Sequence, residues 1–178
     1  MAPLYGGAIT VALPDDAVDA SKVREVPDTQ EVFVFSHPES VLWDRSLIFD
    51  LLELVDGDDY DTIMGHHIAD ITDENPTNRY LEDVVTDIDV NGQKVACKLS
   101  LIEFSNRRRD ATEAGAPPYI VTLIGLIRLT NVATDFLVTL NVPVANSQAG
   151  DSVVIDPVYA LFKQVVGSLK VERWDLFG

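Results

Sequence analysis

Apolar and polar positions alternate, cluster and break along this chain in a way that outlines most of its elements. Ala8 to Leu13 is a short β-rich run, preceded by Gly6-Gly7 and stopped by Pro14. Asp19 to Arg24 fits one helical turn capped by Asp19, and Val26-Pro27-Asp28 reads as a turn with φ fixed by proline. Glu31 to Phe35 is apolar on both faces after Glu31, which predicts a central strand covered on both sides. Between Asp44 and Val55, the residues Leu47, Ile48, Leu51, Leu52 and Val55 recur at i, i+1, i+4, i+5 and i+8. That spacing predicts a helix, with Asp44 or Ser46 as its N-cap. Asp56-Gly57-Asp58-Asp59 ends that helix and offers a fresh N-cap, and Tyr60, Ile63, Met64, His67, Ile68 and Ile71 give a second helical stripe running to about Asp70.

The second half of the chain reads mainly as hairpins. Tyr80 to Val85 fits either a helix end or a strand. Val84 to Val90 and Lys94 to Phe104 flank Asn91-Gly92, the dipeptide that supplies two positive φ angles to a tight hairpin turn. Asn106 to Pro118 is a polar loop. Tyr119 to Leu129 and Thr134 to Val142 form another antiparallel pair joined by Thr130 to Ala133. Asp156 followed by Pro157 predicts the start of a last helix reaching about Leu169, buried through Val158, Leu161, Phe162, Val165, Val166 and Leu169. Strands therefore come in adjacent hairpins without the βαβ alternation that demands a parallel sheet. The expected fold is α+β: a single antiparallel sheet of about six or seven strands flanked by helices, in one domain spanning residues 1–178.

Charge changes the picture more than composition does. With 47% hydrophobic residues the sequence is that of a folded protein, but 29 acidic residues against 13 basic ones leave a formal charge of −16. Such a surface opposes nucleic acid and anionic membranes and favours a partner with a basic surface. One cysteine, Cys97, leaves no internal disulfide to form and suits a reducing compartment. The start of the chain has neither a basic n-region nor a long apolar run, and its longest apolar stretch, Tyr119 to Leu126, is far short of the ~20 residues that span a bilayer. A soluble intracellular protein is expected.

Candidate chemistry is sparse. His66-His67 with Asp70 can be drawn as a cluster, yet on a helix only His66 and Asp70 share a face, and a zinc site needs more ligands. His37 stands alone, Cys97 lies in a strand as a small core residue, and no Gly-x-Ser-x-Gly elbow is present. Arg107-Arg108-Arg109 is a short basic patch in a loop. On the predicted helix of Asp44 to Val55, the face opposite the apolar stripe holds Ser46, Phe49, Asp50 and Glu53. It is either a solvated acidic face with one aromatic or a partner-binding face. No catalytic site, cofactor or metal is expected.

Longer blocks carry a resemblance. Leu4-Tyr5-Gly6-Gly7-Ala8-Ile9, Asp19-Ala20-Ser21, Arg24-Glu25-Val26-Pro27-Asp28-Thr29-Gln30-Glu31-Val32 and Asp44 to Leu54 are similar, in order and spacing, to the Mog family of Ran guanine-nucleotide release factors. Ile127-Arg128-Leu129-Thr130, Thr134-Asp135, Asn141-Val142-Pro143 and the closing Leu176-Phe177-Gly178 resemble the same family, with departures in Ser36 to Val41 and Asn106 to Pro118. The resemblance implies a PsbP-like α/β/α sandwich that binds the GTPase Ran, promotes release of its GTP and supports nuclear transport. It implies no enzyme, and a monomer shared between nucleus and cytoplasm. It assigns Ran contact to Asp50 and Glu53, with Phe49 and Ser46 added by their place on the predicted helix face. The alternatives are a PsbP-like binding module with another partner, or an enzyme using His66, Asp70 or the carboxylate pair.

Overall fold

Ten strands and two α-helices make up the computed structural model, which describes residues 1–36, 43–106, 115, 117–147 and 152–178. In chain order the strands are β1 (Ala2–Leu4), β2 (Ile9–Val11), β3 (Val18–Asp19), β4 (Gln30–Phe35), β5 (Arg45–Glu53), β6 (Arg79–Val90), β7 (Gln93–Ser105), β8 (Tyr119–Leu129), β9 (Thr134–Val144) and β10 (Lys170–Val171). The helices are α1 (Tyr60–Ile71), between β5 and β6, and α2 (Ser152–Gly167), between β9 and β10. Seven strands form one antiparallel sheet in the order β3-β4-β5-β9-β8-β7-β6, and β1-β2-β10 form a small second sheet. The α+β fold, the single large sheet and its two hairpins are those expected.

Local chemistry explains most of the boundaries. Asn91 and Gly92 both adopt positive φ, 54° and 84°, so the β6–β7 hairpin turns where the dipeptide predicted. Asp59 caps α1 by accepting the Thr62 N–H at 2.9 Å. Asp19 caps a single 3-10 turn over Ala20–Lys22 by accepting the Ser21 N–H. Tyr80 to Val85, open between two states in the sequence, is strand.

Three expectations are corrected. Asp44 to Val55 is no helix: Arg45–Glu53 is β5, paired on one side with β4 from Phe35↔Arg45 to Gln30↔Asp50 and on the other with β9 from Ser46↔Asn141 to Glu53↔Thr134. The apolar pairs Leu47-Ile48 and Leu51-Leu52 put aliphatic side chains on both faces of the strand, and a run this short has no period that separates that case from a helix. Neither Asp44 nor Ser46 is a helix cap. The second correction concerns α2, which begins at Ser152 and carries Pro157 inside its first turns, not at its first position. The third concerns β4, whose outer neighbour is the two-residue β3, so it lies next to the sheet edge.

The two helices cover opposite faces of the sheet. Phe162, Val165 and Val166 of α2 pack with Leu47, Phe49, Leu99, Leu123, Phe136 and Val138 in the larger core. On the other face Ile63, Met64 and Ile68 of α1 pack on Ile102, Ile124, Leu126 and Leu137. This is the α/β/α sandwich. Gly125 on β8 makes room for Cys97 on β7, since a Cβ there would stand 2.8 Å from the Cys97 sulfur. Because α1 is shorter than the strands beneath it, part of its face of the sheet is left open.

Candidate functional site: the open groove beside α1

The uncovered part of that face forms a groove of about 660 Å³, lined by β5, β9, the end of α1 and the segment after it. Strand alternation decides which side chains of β5 enter it. Ser46, Ile48, Asp50 and Leu52 line the groove, whereas Leu47 and Phe49 belong to the core on the α2 side.

Asp50 is the residue that matters most here. Its Oδ2 accepts a hydrogen bond from the Gln30 amide at 2.7 Å, while its Oδ1 is buried and has no hydrogen-bond partner. Burial pushes the Asp50 carboxyl above the ordinary carboxylate range, the bond from Gln30, the adjacent Thr29 side chain and the nearby His67 partly oppose that, and Asp70 adds to the rise. The Tyr5 hydroxyl, which donates to the Thr29 carbonyl at 3.0 Å, is pushed up by burial and then by Asp50 and Glu31. Asp70 and His67 reach the groove from α1.

The four predicted site residues do not stay together. Ser46 lies in the groove, where its Oγ accepts from the Asn141 amide at 3.2 Å and the Asn141 carbonyl oxygen accepts from Thr122 at 2.7 Å. Glu53 is exposed at the last position of β5, three residues from Asp50 and therefore on the opposite parity, ~10 Å further along the strand. Phe49 is fully buried, 0% exposed, between Phe33 and Phe136 with ring centroids 6.1 and 6.4 Å away. It is a core side chain and cannot act as an exposed anchor. Asp50 and Glu53 are not helical neighbours, and the like-charge repulsion expected between them has no place in a strand.

Beside Asp50 on the same sheet face lies a charged cluster that the sequence reading missed. Asp135, 0% exposed, accepts from Arg128 Nε at 3.0 Å and from the Val55 N–H at 3.0 Å, and stands 3.0 Å from His67 Nε2. Arg128 also donates to the carbonyls of Gly57 and Val55. The cluster ties β9, β8, α1 and the chain leaving β5 into one unit. Its signal was present: Arg128 and Asp135 each interrupt an apolar strand and sit opposite one another in the hairpin register. His66 is exposed, so it is His67, three residues before Asp70, that shares the groove with that carboxylate. His37 and Arg107-Arg108-Arg109 lie outside the described residues. Cys97 is buried, and burial raises its thiol, as expected of a core cysteine. Among the described residues no group of three or more His, Cys, Asp or Glu side chains is placed to hold a metal ion, and no helix is long and apolar enough to cross a membrane.

A seven-stranded antiparallel sheet between two helices, opened on one face by an acid-bearing groove, defines an α+β sandwich built to present a surface. The particular relationship follows from comparison with known proteins: the family described as Ran-interacting Mog1 protein matches residues 2–143, and the chain belongs to it. The nuclear import protein MOG1 of Saccharomyces cerevisiae is 32% identical over 186 residues, covering 98% of this chain and 83% of that protein. The Ran guanine nucleotide release factor of Homo sapiens is 31% identical, covering 99% of this chain and 95% of that protein. The crystal structure of the Saccharomyces cerevisiae Ran-binding protein Mog1p superposes with a TM-score of 0.72 at 31% identity, covering 99% of this chain and 97% of that one.

Proposed function

We propose that this protein binds the small GTPase Ran and promotes release of its bound guanine nucleotide in support of nucleocytoplasmic protein transport. The observation that carries the reading is the match, over nearly the whole of this chain and 83% and 95% of the two relatives, to proteins named as a nuclear import protein and a Ran guanine nucleotide release factor. The formal charge of −16 supports a partner with a basic surface.

Release follows from linkage. A protein that binds the nucleotide-free GTPase more tightly than the loaded form weakens nucleotide binding by the same factor. No bond is made or broken, so the role is regulatory and not enzymatic, and it calls for no cofactor. Residues 1–178 act as one Ran-binding domain, as a monomer, without nucleic acid or membrane, in the nucleus and cytoplasm. Asp50 in the groove and Glu53 at the end of β5 contact basic Ran side chains, with Ser46 as a polar contact on the Asp50 side. Because the two acids leave β5 on opposite parities, they meet different parts of the partner.

The test is a nucleotide-release assay on Ran carrying labelled GTP, with the complex followed by gel filtration. The protein is expected to accelerate release. Asp50→Lys should weaken the complex by ~2–5 kcal/mol, about thirtyfold or more, while the thermal unfolding transition is kept. Unchanged release by Asp50→Lys overturns the site, and absence of both release and complex with the unaltered protein overturns the function.

A further inference from the structure

Asp50 shares the groove with a carboxylate from α1, and it is not Glu53. Asp70, on the exposed side of α1, lines the same groove and raises the Asp50 carboxyl electrostatically. Among the described residues no Lys or Arg forms a salt bridge with either acid, and the nearby guanidinium of Arg128 is committed to Asp135 and two carbonyls. One oxygen of Asp50 is buried without any partner. The sheet gives the groove aliphatic Ile48, Leu52 and Leu137 beside polar Thr139 and Asn141, and Asp73 and Glu74 add further carboxylates to its lining. Carboxylates brought by a strand and by α1, above a sheet surface that carries aliphatic side chains, are the complement of a cation on an aliphatic stem.

We propose that the groove beside α1 is the socket for a lysine or arginine of Ran, its stem lying on the floor of β5 and β9 and its cation held between Asp50 and Asp70. This rests on the Ran-binding reading and adds to it a site with two walls, one of them on α1. The cavity of about 660 Å³ exceeds one side chain, so neighbouring apolar residues of the same Ran segment enter with the cation. Captured cation supplies the missing partner of Asp50 and relieves its repulsion with Asp70. Glu53, on the other parity of the strand, remains a contact at the rim.

Three variants test the socket by titration against nucleotide-free Ran, each first shown to unfold as the unaltered protein does. Asp70→Lys is expected to weaken binding at least about tenfold. Ala69→Trp, at an exposed groove position on α1, blocks the socket without changing charge and is expected to weaken binding comparably. Asp87→Lys makes the same charge change on exposed β6, far from the groove, and should lower affinity by less than about twofold at physiological salt. Normal binding by both groove variants overturns the socket while leaving Ran binding intact, whereas failure of the unaltered protein to bind overturns the functional reading itself. Equal losses from Asp70→Lys and Asp87→Lys also overturn it, since only the overall field would then matter. So would groove amide signals that shift with this protein's own concentration in the absence of Ran, which would put a second copy in the groove.

Discussion

Asp50 and Asp135 stand on neighbouring strands and on the same face of the sheet, Asp135 against His67 of α1 and Asp50 in the groove beside that helix. Asp135 is fully buried, and each of its oxygens is engaged, Oδ1 by Arg128 and Oδ2 by His67 and the Val55 N–H. Asp50 is half-buried, with one oxygen bonded to Gln30 and the other bonded to nothing. A buried charge is tolerated when every lone pair has a partner, and an unmet one costs the full desolvation of the group. The first acid therefore stabilises the fold, and the second is a cost that the fold carries. A costly polar group persisting at the wall of a groove is what a binding site looks like before its ligand arrives.

The widest gap between the two should open on truncation. Asp135→Ala leaves Arg128, His67 and the Val55 N–H without their common acceptor, and a broken buried pair typically costs ~3–5 kcal/mol. Chemical denaturation is expected to show a loss of that size. A loss under about 1 kcal/mol, paired with a specific loss of Ran release, would place Asp135 with the binding groups and dissolve the contrast. Phe49 gives a smaller and cleaner division within β5 itself. Phe49→Leu removes aromatic contacts with Phe33 and Phe136 and should cost ~1–3 kcal/mol of stability. Titrated well below its unfolding temperature, the variant should bind Ran within about twofold of the unaltered protein, because the ring lies on the α2 side. A tenfold loss of affinity at intact stability would show that the far face of β5 is read by the partner after all.

How much of this was legible in the sequence depends on whether local signals sufficed. The Asn91-Gly92 turn, the Asp59 cap and the alternating strands of the second half are local, and the structure has them where the pattern put them. Asp44 to Val55 was misread because Leu47-Ile48 and Leu51-Leu52 satisfy a helix and a strand apolar on both faces equally, and only pairing with β4 and β9 decides between them. The error passed directly into the site. On a helix Phe49, Asp50 and Glu53 share a face, but on a strand Phe49 and Glu53 leave Asp50 alone in the groove. The second acid of the groove, Asp70, and the Asp135 cluster depend on contacts between residues as far apart as His67 and Asp135. No spacing rule reaches that distance. Asp50 itself was found by resemblance, which is indifferent to whether its segment is helix or strand.

The smallest expected effect is the one that most directly weighs Asp50. Its neighbours are Gln30 from β4 and Thr29 just before it, His67 and Asp70 from α1, and the Tyr5 hydroxyl. Its carboxyl is raised by burial in the folded protein, while in the unfolded chain it titrates near ~3.9. The folded state therefore holds this proton more tightly than the unfolded state. The resulting stabilisation is complete below the ordinary carboxylate value and is lost as pH rises through the raised one, so at pH 7 the ionised group opposes folding. Asp50→Asn cannot ionise and keeps an acceptor for Gln30. It should raise the unfolding temperature at pH 7 by an amount worth less than about 1 kcal/mol, given how much water reaches the groove, and the advantage should shrink towards zero as pH falls to about 4. The same variant should bind Ran less well. A drop in stability at pH 7 would mean that the unpaired oxygen is satisfied in solution, and that the difference between Asp50 and Asp135 is one of degree only.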